Sequence, residues 1–92
     1  MDYIDELAED SVKEAIERLL ADGQRCHSGS VPIEAVQILM KRGRGRVSET
    51  LAFAKIDDAI HRLRERQELK APLERQYTWV LVDQPRTAIE PK

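Results

Sequence analysis

The fold is decided by residues 48–67, which read SETLAFAKIDDAIHRLRERQ. An α-helix advances about 100° per residue, and at that spacing most of the large apolar side chains of this stretch fall within one narrow arc. The members of the arc are Phe53, Ile56, Ile60 and Leu63, flanked by Ala52 and Ala59. Because Ser48 is a favourable N-cap residue, we predict an amphipathic helix that begins after Ser48, ends near Gln67 and buries this arc.

The opposite side of the predicted helix is mostly polar and can contact another molecule. It carries Thr50, Leu51, Ala54, Lys55, Asp58, His61, Arg62 and Glu65. Four cations in six residues, KRGRGR at 41–46, come directly before the helix, and a segment rich in β-branched and aromatic residues, 77–82, follows it. A basic turn, an amphipathic helix and paired strands in this order are typical of proteins that bind nucleic acids.

The length and composition of the chain limit its architecture and its location. Ninety-two residues are enough for one small domain with a single core. The sequence has no apolar run of about 18 residues and no secretory signal, so we expect no membrane contact and a cytoplasmic location. Cys26 is the only cysteine, which excludes an internal disulfide.

Charge is distributed unevenly along the chain. The formal net charge is −2, which argues weakly against DNA binding. Residues 1–22 hold eight acids against Lys13 and Arg18, a net charge of −6, so the rest of the chain carries +4. An acidic amino-terminal part on a basic body can favour solubility, weaken non-specific binding, or bind a second protein.

The amino-terminal residues contain two candidate helices, and their periodicity favours separating them. A single helix from residue 3 would bring Asp5 and Glu9 into the apolar stripe of Val12, Ile16, Leu19 and Leu20. Ser11 and Glu14 have the spacing of a capping box, so we predict a first core helix from Ser11 to about Asp22-Gly23. Residues 1–10 then form an acidic arm, whose apolar residues Tyr3, Ile4 and Leu7 indicate either a frayed terminal turn or an oligomer contact.

A second helix is predicted from about Pro32 to Arg42, after a connector at 24–30 that has room for a very short strand. Proline is favoured in the first turn of a helix, and Gly43 and Gly45 end the pattern. The predicted buried residues are Ile33, Val36, Leu39 and Met40. Ile38 falls on the far side of this helix without a firm partner, and the two candidates to cover it are the hairpin and a second subunit.

Two strands and a tail complete the prediction. Residues 68–71 and 77–82 are the strands, and in the second of them Tyr77, Trp79 and Leu81 alternate with Thr78, Val80 and Val82. We expect Trp79 in the core, with stacking on a base as the alternative. Residues 83–92 contain two prolines and no periodicity, and we predict a flexible tail there.

This order of elements resembles the winged helix-turn-helix superfamily of DNA-binding domains. The resemblance covers residues 11–82 and rests on the apolar pattern of the three helices and on the YTWVLV strand at 77–82. It implies a mainly α fold with a small β-hairpin, in which a three-helix core carries a two-stranded wing. Asp58 and Glu65 depart from the family pattern, because members usually place neutral or basic residues on the outer face of the third helix.

If the fold is as expected, the start of the third helix enters the major groove and the basic turn contacts phosphates. The candidate DNA-binding residues are Lys41, Arg42, Arg44, Arg46, Ser48, Thr50, Leu51 and Lys55, with Lys70 and Arg75 at the wing. The alternative interpretation of the same residues is a solvated turn and a solvated helix face. With roughly four to six phosphates engaged, log affinity should fall with log salt at a slope of about −4 to −5.

These patterns favour sequence-specific binding of double-stranded DNA by a small transcriptional regulator of bacterial or mobile-element type, which acts as a homodimer through the acidic arm. The rival hypothesis is a winged-helix adaptor or inhibitor that binds a protein partner instead of DNA. Catalysis is not expected, because no nucleophile and base constellation or phosphate-binding loop stands out. One cysteine and two histidines do not have the spacing of a metal site, and no cofactor is expected.

Overall fold

The structure is a computed structural model that describes residues 3–70 and 79–82. In chain order its elements are α1 (Tyr3–Ala21), α2 (Val31–Arg42), α3 (Glu49–Glu65), β1 (Leu69–Lys70) and β2 (Val80–Leu81). The two short strands pair antiparallel, with Leu69 opposite Leu81 and Lys70 opposite Val80. The prediction of a mainly helical chain with three helices and two antiparallel strands is therefore confirmed. Of the described residues predicted as strand, Glu68, Trp79 and Val82 lie outside the two strands.

The first helix is one continuous element, and the prediction that it begins at Ser11 is wrong. Ser11 lies in the middle of α1, where its hydroxyl is buried and donates to the carbonyl oxygen of Leu7 at 2.7 Å, four residues earlier. A hydroxyl used in this way cannot cap a helix start. The predicted end is confirmed, because Gly23 has a φ of 75° and the amide of Gln24 donates to Leu19 at 2.8 Å.

The second helix is rotated relative to the prediction. Ile38 is buried, with 4% of its surface exposed, whereas Ile33 is 54% exposed and Met40 is only partly buried. The buried face of α2 is formed by Val31, Ala35, Val36, Ile38 and Leu39. The prediction gave weight to the large side chains and left out Ala35 and Val31, so it placed the centre of the apolar face about one residue position away.

The third helix agrees with the prediction in position and in most of its buried face. Ser48 caps it, because the Ser48 hydroxyl oxygen accepts from the Leu51 amide at 3.2 Å. Its buried residues are Ala52, Ile56, Ala59, Ile60 and Leu63. Phe53 is 42% exposed and was wrongly placed in the core, because α3 turns its alanine side, rather than its Phe53 side, toward α1.

The two strands cover one end of the helical core. Trp79 is 6% exposed, which confirms its predicted place in the core, and Leu69 from the other strand is also buried. The Trp79 amide donates to the carbonyl oxygen of Cys26 at 2.7 Å and so ties the loop before α2 to the strands, although no strand forms at 24–30. Tyr77, Thr78 and the predicted tail at 83–92 lie outside the described residues. Within residues 3–70 and 79–82, no helix has the length and apolar character needed to cross a membrane.

Candidate nucleic-acid interface

The basic turn, residues 41–46, joins α2 to α3 through two overlapping backbone turns. The Arg44 amide donates to Lys41 at 3.2 Å, and the Arg46 amide donates to Gly43 at 3.0 Å. Arg44 and Gly45 both adopt a positive φ, 54° and 84°. The left-handed conformation costs a side-chain-bearing residue about 1–2 kcal/mol, so Arg44 occupies a position where glycine would be unstrained.

Gly43 is needed for steric reasons rather than for its φ, which is −77°. A Cβ atom at this position would lie 2.6 Å from Cγ2 of Val47, a buried and stiff side chain that anchors the basic turn to the core. We therefore expect Gly43→Ala to lower the free energy of unfolding by about 1–3 kcal/mol, measured by urea denaturation.

Gly45→Ala is the matched control for this variant, because a Cβ atom there meets nothing within 4 Å and only its φ of 84° is unfavourable. The control should cost about 1 kcal/mol. An equal or smaller loss in Gly43→Ala would contradict the proposed contact with Val47.

The structure divides the predicted DNA-binding cations into two groups. Arg42 pairs with Glu14 of α1, and Lys55 pairs with Asp5 at 2.9 Å. Lys41, Arg44 and Arg46 are exposed, and no carboxylate of residues 3–70 or 79–82 forms an ion pair with them. Within the basic turn, the positive charge available to an external anion therefore lies on these three side chains.

A row of ion pairs joins α1 to one edge of α3 and explains why α1 is continuous. Glu9 has only 9% of its side chain exposed and accepts from Nε of Arg62 at 2.6 Å. Arg66 donates to both oxygens of the same carboxylate, from Nη1 to Oε2 at 3.1 Å and from Nη2 to Oε1 at 2.7 Å. Asp5 and Glu9 do enter the buried side of α1, as the periodicity requires, but cations of α3 pair with them there.

These contacts shift the pKa values of the groups involved. Hydrogen bonds from Arg66, followed by those from Arg62, hold the pKa of Glu9 below its usual value despite the opposing effect of burial. The pKa of Glu68 is lowered in the same way by Arg66 and Lys13, and the pKa of Arg66 is raised by both carboxylates. The pKa shifts of Glu9, Glu68 and Arg66 all favour the charged forms that the ion pairs require.

The outer face of α3 changes character along its length. Its first turn holds the exposed residues Glu49, Thr50 and Leu51, which follow the N-cap Ser48. Farther along, Asp57, Asp58 and Glu65 are exposed. A duplex has a high density of negative charge, so the first part of α3, where Glu49 is the single acid, is better suited to approach it than the later part.

Candidate residues at the strands are described only in part. Lys70 is exposed on β1, whereas Arg75 lies outside the described residues.

No described group of three or more histidine, cysteine, aspartate or glutamate side chains is arranged to hold a metal ion. Cys26 is buried, and the burial raises the pKa of its thiol, as expected for a structural cysteine.

The predicted oligomer contact, Tyr3, Ile4 and Leu7, forms part of α1 rather than a separate arm. Ile4 and Leu7 pack partly against the core, and Tyr3 is 70% exposed. Together they line one wall of an open groove with a volume of about 670 Å³, and residues 41–44, 46 and 47 line the other wall. The basic turn thus borders α1 as well as the start of α3.

Comparison with protein-family models, with curated proteins and with solved structures finds no match to this chain. Its function must therefore be inferred from the geometry of its own residues. The residues that sequence reasoning missed are Asp5, Glu9 and Glu14, which determine the cations that are available. Asp5 and Glu9 are four residues apart and so share one face of a helix, and Lys55, Arg62 and Arg66 likewise fall on one side of the third helix. These two matching spacings could have identified Asp5 and Glu9 as partners of those cations.

Proposed function

We propose that this protein is a winged-helix protein that binds double-stranded DNA through its basic turn and the first turns of α3. The observation that carries the proposal is the division of the cations. Arg42 and Lys55 are paired with acids of α1, whereas Lys41, Arg44 and Arg46 remain available. Counterion release on neutralising phosphates with such side chains is the main source of affinity for a duplex.

The capped start of α3 supports the same binding mode. Unpaired backbone amides and the helix dipole make the amino-terminal end of a helix favourable for phosphate. Thr50 can exchange hydrogen bonds with base edges, and Leu51, which is 38% exposed, can pack on a thymine methyl group. The Ser48 hydroxyl oxygen accepts from the Leu51 amide, but its proton can still be donated to a phosphate or a base.

Backbone strain at Arg44 also supports a functional role for the basic turn. Arg44 stays in the left-handed region although this conformation lowers stability, and such strained residues are frequent at functional sites. Arg44→Gly would remove both the strain and the cation. We expect this variant to be at least as stable as the wild type and to bind a duplex more weakly, a combination that separates binding from folding.

A regulator of transcription is the role that this binding mode fits best. Dimerisation would double the phosphate contacts of a basic turn that offers only three available cations, and it would match a two-fold symmetric site. A cytoplasmic, nucleoid-associated location would follow from DNA binding.

The proposal is tested by mapping the contact surface with nuclear magnetic resonance. On addition of a duplex, the amide signals of 43–51 should shift, and those of 57–65 should move little because that part of α3 is acidic. Arg46→Gln should weaken the response. Arg25→Gln, which removes another exposed cation, from the loop before α2, should leave the response unchanged. Shifts centred on 57–65, or an equal loss in both variants, would contradict the proposal.

A second candidate, a protein-binding adaptor or inhibitor, is favoured by the acidic outer face of α3 and by the exposed Phe53 beside it. Duplex DNA would be repelled by Asp57 and Asp58, whereas a basic partner protein would be attracted. In this case the same experiment would show no shifts with a duplex at any salt concentration.

A further inference from the structure

The groove between α1 and the basic turn has two chemically different walls. Tyr3, Ile4 and Leu7 form an apolar wall, and the opposite wall consists of the basic turn and Val47. Its volume of about 670 Å³ lies within the usual range of ligand sites, roughly 300–1,000 Å³. Phosphate contacts require only cations, so the apolar wall has no role in the function proposed above.

The charge of the groove is of one sign. No acidic residue among 3–70 and 79–82 lines it, and Lys41, Arg44 and Arg46 pair with no carboxylate of those residues. The fourth cation of the wall, Arg42, is already paired with Glu14. An occupant that complements the groove must therefore bring negative charge to one wall and an apolar group to the other.

We propose that this groove binds an acidic peptide segment of a partner protein that carries one large apolar side chain. Three separate cations exceed what a single carboxylate can pair with, which favours a segment with several acids over a small monocarboxylate. The apolar side chain of the segment packs against Tyr3, Ile4 and Leu7. This inference rests on the proposed function in one respect: the segment uses the same cations as DNA, so it displaces DNA and regulates binding.

The experiment uses a labelled peptide of aspartate and glutamate with one central phenylalanine, and a second peptide with serine in its place. Binding to the full chain is followed by fluorescence anisotropy at 50 mM salt. The phenylalanine peptide should bind about fivefold to tenfold more tightly than the serine peptide, because the ring loses part of its exposed surface. Equal affinities for the two peptides would overturn the proposal.

Two variants test which wall of the groove binds which part of the peptide. Tyr3→Ala removes an exposed side chain that the fold does not need, so it should abolish the preference for phenylalanine and leave duplex affinity unchanged. Arg44→Gln with Arg46→Gln should weaken binding of both the peptide and the duplex. If Tyr3→Ala keeps the full preference, the ring binds elsewhere and the proposal fails.

Competition separates this inference from the function on which it rests. The phenylalanine peptide should release a bound duplex, and the serine peptide should do so less well. If the wild type binds no duplex, the proposed function fails, and the preference for phenylalanine still decides whether the groove binds peptide. Self-association of the wild type that Tyr3→Ala abolishes would assign the groove to a second copy of this chain and overturn the proposal.

Discussion

Replacing Lys41, Arg44 and Arg46 together by glutamine is expected to lower affinity for a duplex at 50 mM salt by on the order of 10²- to 10³-fold. The reason is that these side chains carry the charge that α1 has not already paired. Since they are exposed and make no ion pair within the described residues, the free energy of unfolding should change by less than about 0.5 kcal/mol per substitution.

The measurement is a titration of labelled duplex with the wild type and the triple variant, with urea denaturation to confirm that both are folded. Arg25→Gln serves as the control for loss of an exposed cation outside the interface, and its duplex affinity should stay within about twofold of the wild type. A triple variant that binds as tightly as the wild type would remove the basic turn from the interface.

Replacing Glu9 by glutamine is expected to lower the free energy of unfolding at pH 7 by about 1–3 kcal/mol. The substitution keeps the shape of the side chain but removes the negative charge that Arg62 and Arg66 share, and it leaves both cations without their main partner. Glu6→Gln is the matched control, because Glu6 is exposed on the same helix and forms no ion pair within the described residues.

The effect of this variant should depend on pH with a defined sign. The pKa of Glu9 is lowered from its usual 4.5 in the folded chain, so its contribution is complete above about pH 4.5 and is lost as the pH falls through the folded-state pKa. Urea denaturation of the wild type and Glu9→Gln should therefore give a stability difference that is constant near neutrality and shrinks below pH 4.5. A difference that persists unchanged in acid would show that the loss comes from packing and not from charge.

The sequence allowed the third helix to be predicted well, because its signals are local. Ser48 has the chemistry of an N-cap, and the spacing of Ile56, Ile60 and Leu63 identifies one buried face. The predicted strands and the buried Trp79 follow from alternation and β propensity in the same way. Each of these features is determined by residues close together in the chain.

The errors arose where one element depends on another that is distant in sequence. Treating Asp5 and Glu9 as residues that cannot face the protein broke α1 at Ser11. Their partners, Lys55 and Arg62, lie about 50 residues away and can be identified only once α1 and α3 are packed together. The exposure of Phe53 has a related cause, because the buried Ala52 and Ala59 lie on the side of α3 that faces α1.

The sequence predicted the basic turn itself but not which of the candidate cations are paired. KRGRGR was recognised as a basic turn before the third helix, and the structure forms backbone turns there, between α2 and α3. Charge patterning alone could not show that Glu14 pairs with Arg42 and that Asp5 pairs with Lys55. The number of cations available for phosphates therefore falls, and the expected salt dependence becomes shallower than the sequence indicates.

The most direct test of the central claim is the slope of log affinity against log salt concentration for the wild type and the triple variant. Three phosphate contacts per bound chain predict a slope of about −2.7 for the wild type and a slope near zero for the variant. Between 50 and 200 mM salt the wild type should lose affinity about 40-fold. A flat wild-type response, or the same steep slope in both proteins, would contradict the claim that Lys41, Arg44 and Arg46 bind DNA.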